Sequence, residues 1–278
     1  MSALRTFFDF YLKSSIHVAV AVCSFQWAAC RFLELAPRVE LLVFTFLAAI
    51  SGYNFVKYAE RARWYHKSLP RELRNIQLFS LGCFIALLGC GFLLPVNTLA
   101  GFGLLSLLTL AYVIPMLPQA KTLRTLAGIK IFVVALVWAG TAVAIPLWDA
   151  QLLPTTDAWL LFAQIFLTVF ALTIPFEIRD LQFDGDQLRT LPQIFGVAKS
   201  RYLGIFAVLI AAILEGFKDE FLLYSNGYWL LLTVLTVLGL IRSKKEQPPY
   251  LAAFWIEAIP IVGLIYLYVV AGLPLFVG

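Results

Sequence analysis

The sequence predicts an all-α integral membrane protein with about nine transmembrane helices, and three observations carry that prediction. Of 278 residues, 62% are hydrophobic and only 13% charged, with a mean hydropathy of +0.88. A soluble domain usually holds about 25% charged residues, so too little charge is present to cover a water-facing globule. The apolar residues fall in runs approaching the roughly 20 residues that span a bilayer, without the alternation of a barrel strand. The connections between those runs alternate between basic-rich and basic-poor. These features exclude disordered, coiled-coil and nucleic-acid-binding classes, and they assign the pI near 9.0 to membrane topology.

The first run, residues 14–30, carries His17 together with Cys23 and Cys30, seven apart on one helix face. The second covers 40–56, and the third, 76–94, repeats the seven-residue spacing with Cys83 and Cys90. Neither cysteine pair has C-x-x-C spacing, so the four read as small packing residues. No second histidine stands near His17, which reads as a satisfied interhelical donor and not as a transition-metal ligand. Runs four to six are 98–116, 128–147 and 158–176. The seventh and eighth, 202–214 and 228–241, are the shortest, and the ninth is 250–273. That last run contains Glu257 close to Pro260. A charge at such a place is expensive unless paired or protonated, and it lines a cavity or bonds a neighbouring helix.

Of the 21 basic residues, the connections on one side hold only Arg31, Arg38 and Lys218. The others lie on the opposite side, from Arg5 and Lys13 to Lys244 and Lys245. Positive residues mark the cytoplasmic side, so the N-terminus is expected inside and the C-terminus outside. Short connections suit a bacterial inner membrane. The whole chain, 1–278, reads as one transmembrane domain, with two longer cytoplasmic connections at about 57–75 and 177–201.

The second of these connections carries the chemistry. Glu177, Asp180 and Asp184 stand at i, i+3 and i+7, which places them on one face if the sixth helix continues. Clustered carboxylates repel one another unless cations neutralise them, and hard oxygen donors suit Mg²⁺ completed by phosphate oxygens and water. The alternative is a solvated acidic loop paired with Arg179 and Arg189. Ser68-Leu69-Pro70 and Thr190-Leu191-Pro192 lie 122 residues apart, each about a dozen residues beyond an apolar run. Superposing them suggests a four-helix internal duplication. At that offset the three carboxylates fall opposite Phe55, Tyr58 and Ala62.

Glu177-Ile178-Arg179-Asp180, Asp184, Arg189-Thr190-Leu191-Pro192 and Gly196 resemble the second aspartate motif of the UbiA-type membrane prenyltransferases. The resemblance extends to the helix layout of the whole chain. It implies a bundle around a central cavity, capped by the two cytoplasmic connections. It further implies Mg²⁺-assisted transfer of an isoprenyl group from its diphosphate to a membrane-soluble acceptor, often aromatic. Asp180 and Asp184 match its catalytic carboxylates, with Glu177 a third metal ligand. The family's first motif, N-D-x-x-D-x-x-x-D, falls on Asn54 to Ala62 and keeps only Asn54, with Glu60 displaced. The internal repeat and the family motif thus select the same vacant positions. Tyr112, Lys121 and Arg124 are a loose counterpart of the family's Tyr…Lys segment, and Arg189 belongs to its diphosphate side.

The first connection, without those carboxylates, holds six basic residues against Glu60 and Glu72, a balance of +4. Lys57 and Arg61 therefore read either as direct diphosphate contacts replacing one metal cluster or as positive-inside anchors against anionic lipid. Three functions follow as expectations: a prenyltransferase with a half-retained Mg²⁺ site, an inactive relative that binds an isoprenoid or lipid diphosphate, and a small transporter. The halves lack matching helices broken by Gly or Pro, which counts against the transporter.

Overall fold

A computed structural model describes residues 3–64, 71–113, 128–183, 190–219, 223–270 and 272. The order begins α1 (Ala3–Lys13), α2 (Ile16–Phe32), α3 (Val39–Trp64), α4 (Arg71–Gly91) and α5 (Val96–Val113). Next come α6 (Ile129–Ala139), a π-helical stretch (Gly140–Ala144) and α7 (Ile145–Asp149), which run on as one apolar segment. Then follow α8 (Thr156–Asp180), α9 (Leu191–Leu214), α10 (Leu223–Arg242), a second π stretch (Leu251–Ile256) and α11 (Ile259–Val269). Among the described residues there is no strand.

Seven of these helical segments are long and apolar enough to cross a membrane: Val39–Tyr58, Leu73–Gly91, Ile129–Asp149, Thr156–Asp180, Leu191–Phe217, Leu223–Arg242 and Leu251–Val269. Ile16–Phe32 and Val96–Ala111 are apolar but shorter. Each falls on a run predicted from the sequence. The protein is an integral, multi-pass membrane protein, and its outward faces carry the apolar side chains that lipid tolerates: Leu78, Leu81, Ile85, Leu104 and Leu107 are all exposed.

Two features differ from the sequence reading. α3 continues to Trp64 with α4 beginning at Arg71, and α8 continues to Asp180 with α9 beginning at Leu191, so these helices reach into the longer connections expected at 57–75 and 177–201. Hydropathy underestimates such ends because Lys, Arg and Glu are good helix formers although they end the apolar run. A helix also precedes the first span. α1 leaves Leu4 and Phe7 exposed while Phe8 packs edge-on against Tyr250 and Phe254. Its 11 residues are too few to register as a span.

α2 and α8 are the buried axes. Ala19, Ala21, Ala28 and Ala29 let α2 approach α3, the first π stretch and α11 closely. α8 packs on α6, α9 and α10, with Gly204 of α9 giving room to Ile174 and Leu240. The strongest neighbours in sequence are α3 with α4 and α8 with α9. Gln182 donates to the Lys245 carbonyl and Arg201 to that of Ser243, gathering the connections at one end of the bundle. At another junction, Arg38 bonds both carboxylate oxygens of Asp149 at 3.1 and 3.0 Å, and Thr98 adds a third contact at 2.9 Å.

Candidate functional site

The site begins at the junction of α1 and α2. Ser15 adopts a left-handed conformation, φ 64°, which a non-glycine residue holds only where its surroundings enforce it. Asn54 of α3 provides that enforcement. Its amide nitrogen donates to the Ser14 carbonyl at 2.9 Å and to Ser80 Oγ at 2.7 Å, while Oδ1 accepts from Ser15 Oγ at 2.8 Å. Asn54 is 3% exposed. One turn on, Lys57 Nζ donates to Ser15 Oγ at 3.0 Å, and Tyr58 Oη donates to the Lys13 carbonyl at 3.0 Å.

Opposite lies the end of α8. Glu177 is 1% exposed, and its Oε2 accepts the Leu191 N–H at 3.1 Å, at the first turn of α9. A carboxylate at a helix N-terminus takes up donors that have no partner within the helix and complements the helix dipole. The Thr-Leu-Pro segment is therefore a helix start: Thr190 is its N-cap, with its N–H donating to Gln193 Oε1 at 2.9 Å, and Pro192 lies in the first turn. Gly196 then kinks α9 with φ 80° and ψ 162°, a region open essentially to glycine alone. Asp180, the last residue of α8, accepts from both Nε and Nη2 of Arg179 at 2.8 Å through Oδ1. Arg179 also lies over the Phe176 ring at 5.3 Å.

The two sides meet across the bundle. Lys57 and Arg179 are within electrostatic reach of each other, and both are within reach of Glu257 at the start of α11. Lys57 is solvent-accessible, with Ser15 bonded to it and Glu257 and Arg179 within electrostatic reach. Tyr11 and Tyr53 border the same Glu257, and burial with that nearby charge pushes the Tyr11 phenol up. Tyr11 Oη donates to His17 Nδ1 at 2.8 Å, which leaves Nε2 to donate to the Phe254 carbonyl at 3.0 Å. His17 is thus the interhelical donor expected of it.

Tyr53 also receives Trp138 Nε1–H at 2.6 Å, and this pair borders a cavity of about 720 Å³ between α3, α4, α5 and α6. Its walls are mainly apolar, including Phe84, Phe102, Leu105, Val133 and Val137, and its polar lining includes Asn54, Tyr58 and Ser80.

Of the residues selected from sequence, Asp180 pairs with Arg179, which lies within electrostatic reach of Lys57, while Asn54 and Glu177 have partners within the fold. The helix α3 includes Arg61 and α5 includes Tyr112, but their side chains lie outside the described residues. Asp184, Lys121, Arg124, Arg189 and Ser68-Leu69-Pro70 also lie outside them. Sequence reasoning assigned no site role to Ser15, Tyr53, Trp138 or Arg179. Only Glu257 announced itself, as a charge within an apolar run.

No family model and no curated protein matches the chain in sequence. Solved structures do. A structure of digeranylgeranylglyceryl phosphate synthase aligns with a TM-score of 0.55 at 18% identity, covering 95% of this chain and 98% of that one. A UbiA homologue from Archaeoglobus fulgidus bound to Cd²⁺ gives 0.61 at 12% identity, covering 94% and 100%. A further UbiA homologue structure from that organism gives 0.59 at 12%, covering 95% and 100%. The chain has the UbiA fold. The expected all-α bundle is therefore observed, while at these identities the likeness concerns the fold alone.

The Cd²⁺ in one UbiA homologue raises the question of a metal here. Among the described residues no three metal-ligating side chains cluster. Glu177 directs one oxygen to α9, and Asp180 keeps Oδ2 outside its Arg179 pair. Asp180 thus offers a hard oxygen donor of the kind Mg²⁺ takes beside a diphosphate, and Asp184 lies outside the described residues.

Proposed function

We propose that the protein is a UbiA-type membrane prenyltransferase, transferring an isoprenyl group from its diphosphate to an aromatic or lipid acceptor with one Mg²⁺ carboxylate cluster. The observation that carries this reading is the pairing of opposite chemistries in one part of the bundle. Lys57 of α3 and Arg179 of α8 lie within electrostatic reach of each other, Asp180 stands beside Arg179, and Tyr53, Asn54 and Tyr58, close to Lys57 on α3, line an apolar cavity of about 720 Å³. A ligand with an anionic head and a hydrocarbon tail satisfies both parts.

In this reading Asp180 and Asp184 hold the metal, and Glu177 positions α9. Mg²⁺ held by these two carboxylates would supply positive charge to the departing diphosphate. Lys57 and Arg61 bind that diphosphate from the opposite side, where the first aspartate motif is absent, and Arg179 orients Asp180. Tyr112, Lys121, Arg124 and Arg189 complete the headgroup side. Aromatic walls and the exclusion of water protect the allylic cation. The shared basic end of the bundle faces the cytoplasm, with the N-terminus inside, as in a bacterial inner membrane.

The test is pyrophosphate release in lipid nanodiscs, with isoprenyl diphosphates of several lengths and a panel of phenolic and lipid-alcohol acceptors. Release that requires Mg²⁺ and disappears in Asp180→Ala is expected. A second reading, an inactive relative that binds the diphosphate, is favoured by Phe55 and Tyr58 at the positions of missing carboxylates. Tyr58 is tied to the Lys13 backbone there. Binding without release identifies that case.

A further inference from the structure

Glu257 is a membrane-span carboxylate with no role in the reading above, and its setting is unusual. It ends the second π stretch, with its N–H donating to the Ala252 carbonyl at 3.3 Å, a wide five-residue turn just before Pro260. Proline supplies no N–H to the preceding turn, so the helix is open where Glu257 emerges. The segment is nevertheless firmly placed. His17 holds the Phe254 carbonyl at 3.0 Å, and its ring stacks on Phe254 with centroids 4.9 Å apart.

Groups from three other helices surround the carboxylate: Tyr11 of α1, Tyr53 and Lys57 of α3, and Arg179 of α8. The two cations compensate its charge, which makes an ionised acid tolerable at this depth. Neither cation pairs with it directly, because Lys57 bonds Ser15 and Arg179 bonds Asp180. Among the described residues none hydrogen-bonds the Glu257 carboxylate. A structural acid would be expected to hold a partner, whereas this one has charge support and open oxygens one residue contact from the Asp180 end of α8.

We propose that Glu257, near the Tyr53 edge of the cavity, is a catalytic residue whose carboxylate takes the proton that the acceptor sheds as it is prenylated. This rests on the prenyltransferase reading and narrows the acceptor to a molecule that loses a proton on alkylation, a phenol ring or an alcohol. In the step, the allylic C–O bond breaks and its electron pair leaves with the diphosphate. An electron pair of the acceptor forms the new bond to the freed carbon. The proton then surplus on the acceptor's ring carbon or oxygen passes to Glu257 and on to water.

Two measurements separate this proposal from the reading beneath it. Binding of a non-hydrolysable isoprenyl thiodiphosphate with Mg²⁺ tests the donor site alone, and steady-state transfer tests the proton acceptor. Glu257→Gln is expected to keep thiodiphosphate affinity and lower kcat on the order of 10²–10⁴-fold, the usual worth of a positioned base. Glu257→Asp, which keeps a carboxylate, is expected to recover part of that rate; if the Gln variant does not fold, a lowered kcat at unchanged binding in Asp carries the same meaning. Unchanged kcat in the folded variants overturns the proposal. A wild type that binds the thiodiphosphate but transfers to no acceptor also overturns it while leaving the donor site standing. Absence of binding in the wild type overturns the prenyltransferase reading itself.

Discussion

Replacing Asn54 with alanine should weaken the fold more than it weakens ligand binding. The side chain makes three hydrogen bonds, to the Ser14 carbonyl, Ser15 Oγ and Ser80 Oγ. Interhelical hydrogen bonds in membrane proteins average about 0.6 kcal/mol and reach about 1.7. Three average bonds give ~2 kcal/mol, and the buried Ser14 carbonyl left without this donor adds on the order of 1 kcal/mol. The left-handed Ser15 loses its clamp at the same time, so about 2–3 kcal/mol is expected in reversible denaturation from mixed micelles. Ser80→Ala removes one of the three bonds and should lose only ~0.6 kcal/mol. The double variant should then be less destabilised than the sum, because the Asn54–Ser80 bond is already gone in either single variant. Full stability of Asn54→Ala together with lost pyrophosphate affinity would refute this reasoning and make Asn54 a ligand contact.

Two further substitutions separate fold from chemistry at the α8–α9 connection. Gly196→Ala adds a Cβ that meets nothing within 4 Å, yet φ 80° and ψ 162° are strained for alanine, so a loss of ~1–3 kcal/mol is expected in the same denaturation assay. Glu177→Gln keeps an oxygen for the Leu191 N–H and should leave the Mg²⁺ dependence of pyrophosphate binding unchanged, whereas Glu177→Ala should lose about 1 kcal/mol as a removed cap. A weakened Mg²⁺ response in the Gln variant would return Glu177 to the metal.

The bundle was legible because its signals are local and strong: apolar runs of helical length, and connections that alternate between basic-rich and basic-poor. The site was legible in its residues more than in their partners. Spacing places Glu177 and Asp180 on one face of α8, but it is silent about the Leu191 amide that Glu177 meets fourteen residues on. Asn54 stood out through its motif, although its three partners come from the α1–α2 turn and α4, contacts that only tertiary packing creates. Ser15 carried no signal because nothing in a serine announces a left-handed turn. The π stretches precede Pro146 and Pro260, so the prolines mark where the helices are perturbed without revealing what the widened turn presents.

The vacant first motif makes electrostatic sense once Lys57 is placed. Carboxylates around a divalent ion exist to hold that ion, so when the ion goes they become uncompensated negative charge beside an anionic ligand. Removing both together is the consistent change. Phe55 and Tyr58 occupy two of the vacated positions, and Tyr58 is turned to the Lys13 carbonyl, away from any charge role. Lys57 lies between them in sequence, within electrostatic reach of Glu257 and Arg179. A lysine needs no second carboxylate cluster to be held there, since Ser15 Oγ and the Asn54 clamp fix its position. In the prenyltransferase reading, the α3 side would present a fixed cation where a metal-holding motif would present an ion and its ligands, while Asp180 would remain on the α8 side. That asymmetry, one protein cation facing one acidic helix end, follows from residues that lie on neighbouring turns of α3.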